Sequence, residues 1–147
     1  MSDQERREFL QDGHTAVLTT LRQDGRPSAV PLWYVMVSGS MYIGTPRNAA
    51  KLGHLRRDPR CCVLVESGRA WRELRAMQIQ ANAVVLSPGE EAEAVQAEFD
   101  RKYADFRTPF RDMPDAAQAK YADTVWIRLE PTGDPLTWDN SKIRLKR

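Results

Sequence analysis

The chain has 147 residues, with 22 lysines and arginines against 20 aspartates and glutamates and a formal net charge of +2. That length fits one domain with a substantial core, and so balanced a charge does not announce the broad basic surface by which proteins hold nucleic acid. No apolar run approaches the roughly 20 residues of a membrane helix and no apolar leader follows Met1, so a cytoplasmic protein without membrane contact is expected.

Ser2-Asp3-Gln4-Glu5 has the spacing of a capping box, and the short helix it opens carries Phe9 and Leu10 towards the core before Asp12-Gly13 ends it. Residues 15–21 are rich in β-branched side chains, Arg22-Gln23-Asp24-Gly25 is turn chemistry, and residues 26–37 return as a second strand. Pro31 lies inside that second strand without an N–H to give a ladder, which predicts an edge or a bulge there and backbone groups free for a ligand. Ser38-Gly39-Ser40 turns the chain into a short third strand, residues 41–44. Thr45-Pro46-Arg47-Asn48 then leads into a helix over 49–57 with Asn48 as its N-cap, stopped by Asp58-Pro59. A fourth strand, 60–66, holds the two cysteines, Cys61 and Cys62, whose adjacency suits packed thiols better than a disulfide or a metal site. The two histidines, His14 and His54, are likewise too few and too far apart for a metal site.

Residues 70–86 alternate as a fifth strand, Met77, Ile79, Ala81 and Ala83 against Gln78, Gln80 and Asn82. The amide face suits solvent or a wet subunit interface equally. Ser87-Pro88 begins a helix with Pro88 at its first position and Glu90, Glu91 and Glu93 in its early turns; Ala92, Val95, Phe99 and Tyr103 share one face. A connection through Phe106, Phe110 and Met113 leads to a shorter helix, 115–122, and a sixth strand over 124–130. Pro131-Thr132-Gly133-Asp134 turns into a last strand, 135–138. Trp71 and Trp126 read as core or interface residues. Lys142, Arg144, Lys146 and Arg147 make a basic tail that lacks the aromatic residues of a single-strand nucleic-acid platform and reads as a solvated terminus. Seven strands with hairpin spacing and short helices give a mainly β fold, closed as a small barrel so that no edge is left to aggregate.

The charges around the third strand and its helix carry the functional signal. With Asn48 as N-cap, Lys51 falls at the third helical position and Arg47 just outside it. Two cations at a helix N-terminus oppose the dipole by a few tenths of a kcal/mol each, roughly. A bound phosphate would reverse that sign, with the free N–H groups, Arg47, Lys51 and the Thr45 hydroxyl as partners. The alternative is a solvated surface helix.

The runs AVLTTLRQDGRPSAVPLWYV and MYIGTPRNAAKLGHLRRDPRCCVLVE, in that order, resemble the flavin-binding split barrels related to pyridoxamine 5'-phosphate oxidase, in particular their deazaflavin (coenzyme F420)-dependent reductase branch; WRELRAMQIQANAVVL and PLTWDNSK extend the likeness more weakly. The resemblance implies a split β-barrel and a homodimer with the cofactor at the subunit interface. It places the cofactor phosphate on Thr45, Arg47, Asn48 and Lys51 and the ring against Pro31, Leu32 and Trp33, with Trp138 closing the pocket from this subunit or the other. It implies a hydride transfer from bound deazaflavin to a small conjugated substrate. FMN in the same site, or a non-catalytic flavin- or haem-binding module with His14 or His54 as axial ligand, are the alternatives. The acidic tail of the deazaflavin would favour Arg22, Arg26, Arg56 or Arg57 nearby. Ala76 and Ala81 stand where relatives often carry glycine, and no side chain is marked as catalytic.

Overall fold

In the computed structural model, which describes residues 1–146, the chain runs α1 (Asp3–Asp12), β1 (Thr15–Leu21), β2 (Pro27–Val37), β3 (Ser40–Pro46), α2 (Ala50–Arg57), β4 (Arg60–Ser67), β5 (Arg75–Val85), α3 (Glu90–Lys102), α4 (Asp115–Tyr121), β6 (Thr124–Pro131) and β7 (Leu136–Asp139). Arg147, the last basic residue of the tail, lies outside the described residues. Six strands close antiparallel in the order β4-β1-β2-β3-β6-β5, with β5 returning to β4, while β7 extends the sheet on β5. The alternation of the sequence becomes an inside and an outside. Ala16 and Leu18, Val63 and Val65, Met77 and Ile79, and Ile127 and Leu129 point inwards from their strands. Phe9 and Leu10 of α1 fill one end of the barrel, and Leu52 and Leu55 of α2 the other. The capping box forms as expected, Ser2 and Glu5 exchanging hydrogen bonds with each other's backbone. Ser38 and Gly39 both take positive φ, 49° and 81°, so a two-residue turn joins β2 to β3 with the twist a hairpin needs.

The barrel is not laddered all the way round. Residues 27–33 of β2 pair with β1, but only residues 34–37 pair with β3. Beyond Ile43, β3 keeps its partner β6 on one side and loses β2 on the other. Pro31 therefore lies on a stretch of β2 with one free edge, the place its missing N–H predicted. Where β1 ends, a side chain takes over from the ladder: the Tyr103 hydroxyl accepts from Tyr34 N–H at 3.1 Å and stands 2.6 Å from Tyr34 O and 2.7 Å from His14 O. Outside this region α3 packs on β2, β3 and β6 through Val95, Tyr103, Val35, Tyr42 and Trp126.

Four local expectations change. Helix α2 begins one residue late, with Ala49 as N-cap and no side-chain cap bond, so Asn48 is not the cap and Lys51 occupies the second helical position. Pro88 precedes α3 rather than opening it, since Gly89 is the N-cap. Residues 71–73 form a 3-10 turn, and β5 starts only at Arg75. Residues 132–135 do not reverse the chain. Both β6 and β7 run antiparallel to β5 on one edge, Thr132 N–H bonds Gln80 O at 3.0 Å, and the register slips by two residues, which makes the segment a bulge. Trp126 is core, whereas Trp71 is 57% exposed.

Candidate functional site

A groove of about 1320 Å³ opens where β2 and β3 part company. One wall is the free edge at Pro31, Leu32 and Trp33; the floor is Gly44, Thr45 and Pro46 of β3; the far wall is α3 and the segment leading to α4. Gly44 is needed for the floor, because a Cβ there would come within 2.8 Å of the Trp126 ring that lies across it. Trp33 does not swing freely. Its indole stacks on Tyr103 at 4.3 Å with 3° between the planes, and His14 meets it edge-on at 5.4 Å, so the wall it presents is braced from behind.

At the other end the groove meets the start of α2. The N–H groups of Ala50 and Lys51 have no acceptor among the described residues, as follows from a helix start without a capping side chain. Lys51 is half-buried beside them, and burial first, then the charge of Lys120, pushes its ammonium below the ordinary lysine range. Lys120 reaches the groove from α4. The third cation, Arg107, pairs with Asp100 at 2.8 Å, and no aspartate or glutamate lines the groove. The result is a long cleft with aromatic walls and a cationic end. Those are the parts that would receive a planar ring carrying an anion.

Of the residues expected from the sequence, Pro31, Leu32, Trp33, Thr45, Asn48 and Lys51 meet in this groove. Thr45 is buried, and its hydroxyl has only a marginal contact of 3.5 Å with the Pro46 carbonyl. Arg47 is not with them. Its guanidinium turns to Asp123, Nε to Oδ2 at 2.7 Å and Nη2 to Oδ1 at 3.1 Å, and its N–H donates to Asp123 O at 3.2 Å. Trp138 sits on β7 beside Ala76 and does not line this chain's groove. His14 lies behind Trp33, and His54 Nδ1 is 2.9 Å from the Thr20 hydroxyl, so neither histidine lines the groove. Arg22 lies beside Asp24, Arg57 binds Leu21 O at 2.6 Å, and none of Arg22, Arg26, Arg56 and Arg57 reaches the groove. Sequence reasoning missed Lys120, Tyr121 and the aromatic segment at Phe106 and Phe110. Their only signal was a lysine-containing helix after an aromatic-rich loop.

Among the described residues no group of three or more His, Cys, Asp or Glu is placed to hold a metal ion, and no helix is long and apolar enough to cross a membrane. Cys61 is buried and Cys62 half-buried, both as free thiols, and burial pushes the Cys61 thiol up to about 11.

The fold has many counterparts among solved structures. A conserved hypothetical protein from Mycobacterium tuberculosis superimposes with a TM-score of 0.83 at 26% identity, over 100% of this chain and 90% of that one. A haem storage protein from Vibrio cholerae gives 0.71 at 16% identity, over 91% and 92%. A FAD-binding protein from Mesorhizobium loti gives 0.66 at 19% identity, over 90% of each chain. No curated protein matches. The sequence model of the family described as Pyridoxamine 5'-phosphate oxidase matches residues 2–133, nearly the whole barrel together with both walls of the groove, and the chain belongs to that family.

Proposed function

We propose that the protein is an oxidoreductase that binds the deazaflavin coenzyme F420 in the groove and passes a hydride from it to a small conjugated organic substrate. The observation that carries this reading is the meeting, at the split of the barrel, of a free strand edge with an uncapped helix start and a carboxylate-free cationic end. Reduced deazaflavin, when bound, supplies the hydride; the chain supplies position and electrostatics. Lys51 and the N–H groups of Ala50 and Lys51 would hold the phosphate, with Asn48 and the Thr45 hydroxyl at its side. The backbone at Pro31 to Trp33 and the braced Trp33 indole would orient the ring, and Phe106 and Phe110 would keep water from its outer side.

The reading includes a homodimer. Between Arg60 and Glu66, the outer faces of β1, β4 and β5 carry the uncharged Val17, Thr19, Cys62, Leu64, Gln78 and Gln80 in register, and Leu136 continues that surface on β7 with 60% of its area exposed. A second subunit on this face would bring Trp138 towards the partner's groove. FMN is the second reading. The FAD-binding protein from Mesorhizobium loti shares the fold, and a flavin phosphate would meet the same end of the groove. A haem-binding module, as in the storage protein from Vibrio cholerae, has less support, since neither His14 nor His54 lines the groove.

Titration of the purified protein with the deazaflavin and with FMN, followed by quenching of cofactor fluorescence, tests the reading. Tight binding of one cofactor, followed by substrate reduction from its reduced form, is the expected result. Binding of neither refutes it.

A further inference from the structure

We propose that Lys120, carried on α4, is the second anion-binding cation of the groove in place of Arg47, and that Arg47 acts only to position the helix that carries it. The inference rests on the same reading of the groove and specifies the charge of what binds: about two negative charges, carried either by a phosphate monoester or by a singly charged phosphate diester together with a neighbouring carboxylate.

Three observations carry it. Lys51 and Lys120 both line the groove, and neither has an ion-pair partner among the described residues. The setting of Lys51 is unfavourable without an anion: it is half-buried, the charge of the exposed Lys120 acts on it, and no carboxylate in the groove offsets the two. Finally, α4 is tied in place from its far end. Arg47, directly after β3, holds Asp123 by two side-chain bonds and one backbone bond, and Asp123 follows α4 by two residues. That pair ties the residues after α4 to the end of β3, against which α4 lies, with Lys120 on the same groove as the start of α2. Arg47 thus faces a carboxylate, which satisfies its charge, while Lys120 faces the groove.

The test compares wild type with Lys120→Met, Lys120→Arg, Lys51→Met and, as a remote control on the β1–β2 turn, Arg26→Met, after circular dichroism has shown each to be folded. Inorganic phosphate is titrated calorimetrically, and FMN, riboflavin and the deazaflavin by fluorescence quenching. Wild type should bind phosphate saturably and FMN more tightly than riboflavin. Lys120→Met and Lys51→Met should each weaken phosphate and the phosphorylated cofactor about tenfold or more, leaving riboflavin unchanged. Lys120→Arg and Arg26→Met should stay near wild type. Preference of the wild type for FMN or for the deazaflavin tells the monoester from the carboxylate-flanked diester. No phosphate binding by wild type, or wild-type affinity in Lys120→Met, overturns the inference. Loss of phosphate binding in Lys120→Met in a protein that binds no ring-bearing cofactor leaves the inference standing and removes the oxidoreductase reading.

Discussion

Replacing Tyr103 by phenylalanine removes one oxygen from a fully buried side chain, and the structure fixes what that oxygen does. It accepts the Tyr34 N–H at 3.1 Å and gives its single proton to one of two carbonyls, Tyr34 O at 2.6 Å or His14 O at 2.7 Å. Burial pushes the phenol up to about 12, so at neutral pH the proton stays on it. In the variant a buried backbone donor is left without an acceptor, at a cost of about 1–3 kcal/mol, and a donated bond worth about 1 kcal/mol is lost, so the total is about 2–4 kcal/mol. Against the 5–15 kcal/mol typical of a domain, that is a large fraction. For a chain of this length it lowers Tm by roughly 4–16 °C. The phenyl ring remains, so Trp33 keeps its 4.3 Å stacking partner and the groove wall stays in place. Urea unfolding should show a lower midpoint with an unchanged slope, and amide exchange should show the loss at Tyr34 specifically. A variant within about 0.5 kcal/mol of wild type, with the Tyr34 amide still protected, would show that the hydroxyl does not replace a ladder here.

Gly13→Ala should destabilise by about 1–3 kcal/mol, because a Cβ there runs into the Tyr34 hydroxyl that bonds Leu10 O at 2.7 Å and stands 3.0 Å from Val65 Cγ1; denaturant unfolding measures it. Arg47→Ala, by contrast, should leave the unfolding midpoint close to wild type by the same measurement, since both side chains of its ion pair with Asp123 are more than half exposed and solvent screens them. The Glu5 carboxylate, with 35% of its side-chain surface exposed, is held at about 2 by Lys142 first and then by the Ser2 N–H. A lowered carboxylate favours the folded arrangement above the ordinary value of 4.5, and that advantage fades as pH falls towards about 2. Amide protection near Lys142, taken relative to the intrinsic exchange rate at each pH, should therefore fall over that range while the barrel strands stay protected.

The features legible in the sequence were those with local causes. Ser2 and Glu5 are three residues apart, and their exchange of hydrogen bonds needs nothing else from the chain. Pro31 announces a missing donor wherever it stands, and the free edge of β2 follows from it. The strand faces follow from alternation, down to Met77 and Ile79 inside and Gln80 and Asn82 outside. The failures have distant causes. The pairing that turns Arg47 away from the groove was invisible because its partner Asp123 stands 76 residues away, and nothing around Arg47 hints at it. Asn48 looked like a cap because asparagine is a good one; the helix starts one residue later, where Ala49 can offer no side-chain oxygen, and this leaves N–H groups open that Asn48 would have closed. Residues 131–134 read as a turn from their composition, which does not distinguish a reversal from a bulge along a single edge.

The connection between β5 and β6 explains why the site was only half visible. These strands are antiparallel neighbours, and a two-residue hairpin would join them. Instead the chain travels through residues 86–123 and returns. On the way α3 delivers Phe99 and Tyr103 behind Trp33, the next segment delivers Phe106 and Phe110, and α4 delivers Lys120. The barrel contributes an opening, set by strand pairing, and after β3 a helix start left open because Ala49 has no capping oxygen; the connection contributes the opposite wall and another cation. A connection is free to vary where a barrel is not, because its changes leave the ladder intact. Exchanging residues 104–123 should therefore alter which ligands bind in the groove, as titration would read, while Lys51 and the open N–H groups at the start of α2 keep their place on the frame.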